Sequence, residues 1–211
     1  AVGDRVRFTP LEQGKGVIEE VEPRRSMFSR LAPDPQDVYQ QILIANPDEI
    51  ILVFACESPA PRFGMLDRFL VIAEKNGVQA VIVANKTDLV GEKQAEALFG
   101  RYPPLGYPVI YSSIRTGLGI ERLKGQLKDK ITLMTGPSGV GKSSLLNAIQ
   151  PNLGLRVRQV SQATSKGRHT TIVRELFKLD FGGYVADTPG LKALALWDIA
   201  PEELDASLPE I

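Results

Sequence analysis

The chain has 211 residues, 43% of them hydrophobic and 24% charged, with 25 basic and 25 acidic side chains and a formal net charge of zero. That length suits one sizeable α/β domain with small appendages, and the neutral balance excludes a global field drawing the whole chain to nucleic acid. No apolar run is long enough to span a bilayer as a helix, and the single cysteine, Cys56, excludes an internal disulfide or a multi-cysteine zinc site within these residues.

Along the chain, residues 1–31 carry Val2, Val6 and Phe8 around a Gly3-Asp4 turn, then Gly16-Val17-Ile18 leading to Val21. These read as short strands with turns between them, too few to close a barrel. From Asp48 the pattern changes. Ile50–Ala55 is a continuous apolar run of the kind buried in parallel sheets. Phe63, Leu66, Phe69, Leu70 and Ala73 recur at helical spacing before Gly77. Ala80–Ala84 and Pro108–Tyr111 predict further strands, and Glu92–Phe99 and Gly119–Leu127 predict helices. Ile131–Thr135 predicts a strand followed by a Gly-rich loop and a helix containing Leu145, Leu146 and Ile149. Val173–Leu179 and Tyr184–Ala186 predict two strands around Gly182-Gly183. Strands alternating with helices imply a mostly parallel sheet covered on both faces. Cys56 reads as a small buried hydrophobe. With no signal-peptide pattern at the N-terminus, the expected location is cytoplasmic.

Residues 136–144 read GPSGVGKSS and match the phosphate-loop pattern, after an apolar strand and at the start of a helix. Gly136, Ser138, Gly139, Val140 and Gly141 would turn backbone N–H groups around phosphates, helped by the helix N-terminus and by Ser144 in its first turn. Lys142 would reach the β- and γ-phosphates, and Ser143 would ligate Mg²⁺. The loop alone leaves the nucleotide open, since it also resembles that of guanylate kinases.

Asn85-Lys86-Thr87-Asp88 ends the strand Ala80–Ala84, where open parallel sheets bind ligands. Asp88 can accept from N1–H and the 2-amino group of guanine, a donor pair that adenine lacks. Asn85 would tie this loop to the phosphate loop, and the Lys86 stem would cover the base plane. Ser112 and Ser113 end the following strand. They suit either a loop donating a backbone N–H to guanine O6 or a cap for the next helix.

Asp187-Thr-Pro-Gly190 follows the last strand. Asp187 would hold Mg²⁺ through water, and the Gly190 N–H would meet the γ-phosphate. Leu191 stands where many small GTPases carry a water-orienting glutamine. Gly167-Arg168-His169-Thr170-Thr171 lies between the phosphate loop and Asp187, so Thr170 or Thr171 is the candidate second Mg²⁺ ligand. His169, the sole histidine, is the candidate for orienting water or stabilising charge. Arg156, Arg158, Lys166, Arg168, Arg174 and Lys178 form a basic stretch that could meet a phosphate backbone.

The guanine reader precedes the phosphate loop, the reverse of the ordinary GTPase order, so the motifs describe a circularly permuted GTPase. VGDRV at 2–6, GVIEEV at 16–21, LDRFL at 66–70, NKTDL at 85–89, GPSGVGKSSLLN at 136–147, GRHTT at 167–171, REL at 174–176 and DTPGL at 187–191 together resemble the permuted GTPases of small-ribosomal-subunit biogenesis, the RsgA (YjeQ) family. The resemblance implies three parts: an OB-fold, here its remainder in residues 1–31; the permuted P-loop GTPase in 32–195; and a C-terminal zinc domain, of which 196–211 would be a truncated start without zinc ligands. It further implies GTP/GDP and Mg²⁺ as ligands and the small ribosomal subunit with its 16S rRNA as partner, with no membrane association and a monomeric state. The alternatives are a guanine-nucleotide-dependent binding module with incidental hydrolysis and a nucleoside monophosphate kinase.

Overall fold

Seven consecutive side chains, Glu49–Ala55, are all buried, and they form the central strand of the sheet. In the computed structural model, which describes residues 1–12, 15–31, 40–153, 155 and 175–187, this strand is β5. The elements before it are β1 (Val6–Pro10), β2 (Gly16–Val21), β3 (Met27–Leu31) and β4 (Gln40–Ala45). After it come α1 (Phe63–Lys75), β6 (Gln79–Asn85), α2 (Glu92–Phe99), β7 (Val109–Ser112) and α3 (Ile120–Leu127). The last are β8 (Ile131–Thr135), α4 (Lys142–Ile149), β9 (Glu175–Lys178) and β10 (Tyr184–Asp187).

Six strands make one sheet in the order β7-β6-β5-β8-β10-β9. Neighbours run parallel except β9, which pairs antiparallel with β10. The chain enters at β5, travels outward to β7, then returns to the other side of β5 at β8. That reversal opens a crevice at the carboxyl ends of β5 and β8, the place where doubly wound sheets bind ligands.

Period-two alternation divides the core into two layers. Ile50, Leu52 and Phe54 face α1 and α2, packing with Leu66, Phe69, Ala95 and Phe99. Ile51, Val53 and Ala55 face α3 and α4, packing with Leu123, Leu127, Leu145 and Leu146. Phe54 and Phe69 meet edge to face, with ring centroids 6.5 Å apart.

The β3–β4 hairpin was not marked in the sequence. Its strands pair antiparallel from Met27↔Ala45 to Leu31↔Gln40, joining residues on the two sides of position 31. Phe28, Leu43 and Ile44 sink into the α1-side core, and Ser29 donates through both N–H and Oγ to Asn76 Oδ1 at the end of α1, at 3.2 Å each. Asn46 joins this hairpin to the N-terminal strands. It is buried, its Oδ1 accepts from Arg25 N at 2.7 Å, and its Nδ2 donates to Gly3 O at 3.0 Å. The β1–β2 pair itself stays exposed, with Phe8 and Ile18 about three-fifths accessible.

At the amino ends of the strands, opposite the crevice, Glu49 is 1% exposed and paired with Lys130. Lys130 Nζ and Gln126 Nε2 both donate to its Oε2 at 2.6 Å, and Thr132 Oγ1 donates to Oε1 at 3.2 Å. Neutralising a buried carboxylate leaves the facing ammonium without its partner. Glu49→Gln is therefore expected to lower unfolding stability by about 2–3 kcal/mol in urea titrations while leaving nucleotide binding intact.

Candidate guanine-nucleotide site

The phosphate loop is shaped by glycines that no other residue could replace without movement. Gly136, Gly139 and Gly141 have φ of 144°, 83° and 98°. A Cβ on Gly136 would lie 2.1 Å from Val53 O, so the loop must pass directly over β5. The loop delivers the chain into α4, with Gly141 at the N-cap position and Lys142 and Ser143 in the first turn. Val140 is buried, Ser138 is exposed, and Ser143 and Ser144 are half-buried. Lys142 Nζ donates to the carbonyls of Gly136 at 2.7 Å and Pro137 at 2.8 Å. The ammonium thus sits within the loop, beside the N-terminal amides of α4, where anions are favoured.

β6 brings the 85–88 loop against this one. Asn85, 1% exposed, donates from Nδ2 to Val140 O at 2.8 Å and accepts at Oδ1 from Ser112 Oγ at 3.1 Å. Lys86 takes a left-handed φ of 62°. It spans the crevice, donating from Nζ to Gly139 O at 2.8 Å and also to Ser58 O. The Lys86 stem is thereby stretched between the 85–88 loop and the phosphate loop.

β7 supplies the third wall. Ser113 Oγ donates to Asp88 Oδ1 at 2.6 Å, and Thr87 Oγ1 donates to Ser112 O at 3.2 Å. Neither serine caps α3, which begins after Gly119 with no side-chain cap; Ser112 Oγ donates to Asn85 and Ser113 Oγ to Asp88, and Ser113 Oγ also accepts from Thr116 N at 3.3 Å in the turn before the helix. Ser113 orients the carboxylate through Oδ1, and each oxygen of Asp88 keeps a lone pair for one member of a ligand's donor pair. Thr87 was not singled out in the sequence, because the position carries no residue preference in the N-K-x-D pattern.

Asp187 ends β10, and its backbone pairs with Met134 of β8, one residue before Thr135 and the phosphate loop. His169, Thr170, Thr171 and Gly190 lie outside the described residues, as do Arg156, Arg158, Lys166, Arg168 and Arg174 of the basic stretch, whose last member, Lys178, ends β9.

Cys56 follows β5 and is buried, its N–H donating to Asn85 O at 2.8 Å. Burial first, and then the nearby Asp88 charge, push its thiol up to about 11 from 9.0. The thiolate is the nucleophile. Alkylation by iodoacetamide at pH 8 is thus expected to be at least about 100-fold slower than in the urea-unfolded chain. Asp88→Asn should recover a minor part of that rate.

Four matches to known proteins fit this geometry. The RsgA GTPase family profile matches residues 21–197. The chain is 49% identical over 206 residues to the small ribosomal subunit biogenesis GTPase RsgA of Thermotoga petrophila, covering 96% of this chain and 66% of that protein. Its fold is similar to the crystal structure of YjeQ from Thermotoga maritima, with a TM-score of 0.70 and 45% identity, covering 90% of this chain and 60% of that one. It is likewise similar to YloQ, a circularly permuted GTPase, with a TM-score of 0.68 and 33% identity, covering 99% of this chain and 63% of that one. The chain thus spans about two thirds of the length of these relatives. With β6, which carries the N-K-x-D tetrad, ahead of the phosphate-loop strand β8 in the chain and two places from it in the sheet, the permuted order is built into the fold, and the chain belongs to the RsgA GTPase family.

Proposed function

We propose that this chain binds guanine nucleotides, hydrolyses GTP and serves as a monomeric, cytoplasmic factor in maturation of the small ribosomal subunit. One observation carries the nucleotide reading: Asn85 and Lys86 tie the 85–88 loop to the phosphate-loop carbonyls of Val140 and Gly139, and Ser113 fixes Asp88 within that same loop. A carboxylate fixed beside a phosphate cradle rejects adenine, which would leave it unpaired. Membership of a family of permuted GTPases supports hydrolysis, and the printed function of the Thermotoga petrophila relative supports the ribosomal partner. Among the described residues, no helix is long and apolar enough to cross a membrane.

In this reading Lys142 and the α4 N-terminus hold the phosphates, and the stem of Lys86 covers the base. The donor set suits Mg²⁺: a serine hydroxyl at the head of α4 and an aspartate ending the neighbouring strand β10, with no cluster of three or more His, Cys, Asp or Glu among the described residues. Mg²⁺ prefers one or two protein oxygens plus phosphate and water. Ser143 and Asp187 would hold it, with Thr170 or Thr171 as the further ligand; when bound it would neutralise charge developing on the phosphate oxygens. His169 would orient the attacking water, and the Gly190 N–H would meet the γ-phosphate. Residues 1–31 are read as part of an OB-fold, and 156–178 as the basic surface meeting 16S rRNA.

GTP and ATP hydrolysis measured in parallel, with and without purified small subunits, tests both halves. GTP-selective turnover that rises with the subunit is expected. Equal use of ATP would sink the guanine assignment, and unstimulated GTP turnover would sink the ribosomal one.

A further inference from the structure

The segment that leaves β5 is fastened to the N-K-x-D tetrad at two consecutive residues. Ala55 pairs with Asn85 at the end of the parallel β5–β6 ladder, and Cys56 continues it, its N–H donating to Asn85 O at 2.8 Å. Two residues on, the Ser58 carbonyl accepts from Lys86 Nζ. The same ammonium donates to Gly139 O at 2.8 Å. The head of Lys86 is therefore held by two loops, one following β5 and one following β8. Ser58 is exposed, and what it presents to Lys86 is a backbone carbonyl, aimed by a φ of 52°. Residues with a Cβ enter this region at a cost, asparagine with the least difficulty and β-branched residues with the most. A lysine stem is long and flexible, and ordering it costs free energy that binding must otherwise supply. With one acceptor, the head could pivot about Gly139 and carry the stem out of the crevice. The second acceptor, on a different loop, removes that freedom before a nucleotide arrives.

We propose that Ser58 is a positioning residue for the guanine nucleotide: through its backbone carbonyl it holds Lys86 across the crevice and so sets how long the nucleotide stays bound. The assignment rests on the base-covering role given to Lys86 above. Ser58 acts on the ammonium and not on the nucleotide, so its influence must vanish when the ammonium is removed. Differences among variants of one binding site fall mostly on the dissociation rate, so nucleotide release is the quantity to read.

The test is a double-mutant cycle on the full chain, read by stopped-flow release of a fluorescent GDP analogue. Preference of the unsubstituted chain for GDP over ADP is measured first; its absence overturns the guanine reading itself. With that preference present, Ser58→Val, which disfavours the positive φ, is expected to speed release about tenfold, with association within about twofold. Ser58→Asn, which tolerates that φ, should release within about twofold of the unsubstituted chain. Lys86→Met removes the ammonium and keeps an apolar stem. In that background Ser58→Val should change release by less than about twofold. Unchanged release in Ser58→Val overturns the assignment alone. So does the same tenfold acceleration in the Lys86→Met background, which would mean that Ser58 acts by another route. An acceleration in Ser58→Asn equal to that in Ser58→Val also overturns it, since the serine side chain and not the carbonyl would then be responsible.

Discussion

Asp88→Asn is expected to weaken GTP and GDP binding by about 10³–10⁴-fold while creating measurable affinity for xanthine nucleotides. The cause is local. Ser113 Oγ donates to Asp88 Oδ1 at 2.6 Å, which orients the carboxylate and leaves a lone pair on each oxygen for the base. Guanine presents two donors there, N1–H and the 2-amino group, and a carboxylate accepts both. An asparagine can still accept from Ser113 or from N1–H, but its amide N–H₂ would face the 2-amino group donor to donor. Xanthine replaces that amino group with a carbonyl, an acceptor that the amide can serve. The substitution preserves shape, so the fold should survive. Binding titrations with GDP, XDP and ADP read the result directly. Unaltered GDP affinity in Asp88→Asn would remove the guanine reader from the site.

The parts of this architecture that were legible in the sequence share a physical basis. Strands β5, β6 and β8 are buried on both faces, so Ile50–Ala55 and Ala80–Ala84 read as unbroken apolar runs and Ile131–Thr135 as a run broken only by threonine, with turn residues behind them. The phosphate loop was legible because its glycines are required by positive φ and by close approach to Val53 O, constraints that act within one short segment. The β3–β4 hairpin was not legible. Only Ile42–Ala45 of β4 is apolar, β3 is mixed, and the pair is held by contacts such as Ser29–Asn76 across 47 positions. Glu49 was passed over for the same reason. A lone charge heading an apolar run looks like a strand boundary until Lys130 and Gln126, about eighty positions later, are brought to it by the parallel pairing of β5 and β8.

Ser112 and Ser113 show the limit most clearly. Two serines between a strand and a helix satisfy the local rule for a cap as well as the rule for a base-reading loop. Nothing in the adjacent residues separates the two. The distinction lies in partners 25 and 27 positions away, Asp88 and Asn85. Sequence reasoning found the N-K-x-D tetrad and the serine pair separately; the β6–β7 pairing, with Asn85 opposite Ser112, makes them one wall.

Gly141→Ala is expected to reduce GTP and GDP affinity by at least about 100-fold and to lower stability by about 2–4 kcal/mol. Two separate costs meet at this position. Its φ of 98° is one that L-residues with a Cβ rarely adopt. The added Cβ would also lie 2.6 Å from Asn85 Nδ2, the group that donates to Val140 O at 2.8 Å. Relief by moving Asn85 breaks the tie between the 85–88 loop and the phosphate loop and strands the Val140 carbonyl. Relief by moving Gly141 displaces the N-cap of α4, and with it Lys142 and Ser143. Either route disorganises both halves of the nucleotide site at once, so binding should fall further than stability alone would dictate. Gly77→Ala separates the two costs. It has a φ of 62° and nothing within 4 Å of the added Cβ, so it should lose only about 1 kcal/mol and keep nucleotide affinity. Isothermal titration with GDP alongside urea unfolding of both variants decides the matter. A Gly141→Ala protein that binds GDP like the unsubstituted chain would mean that the Asn85–Val140 contact is dispensable to the site.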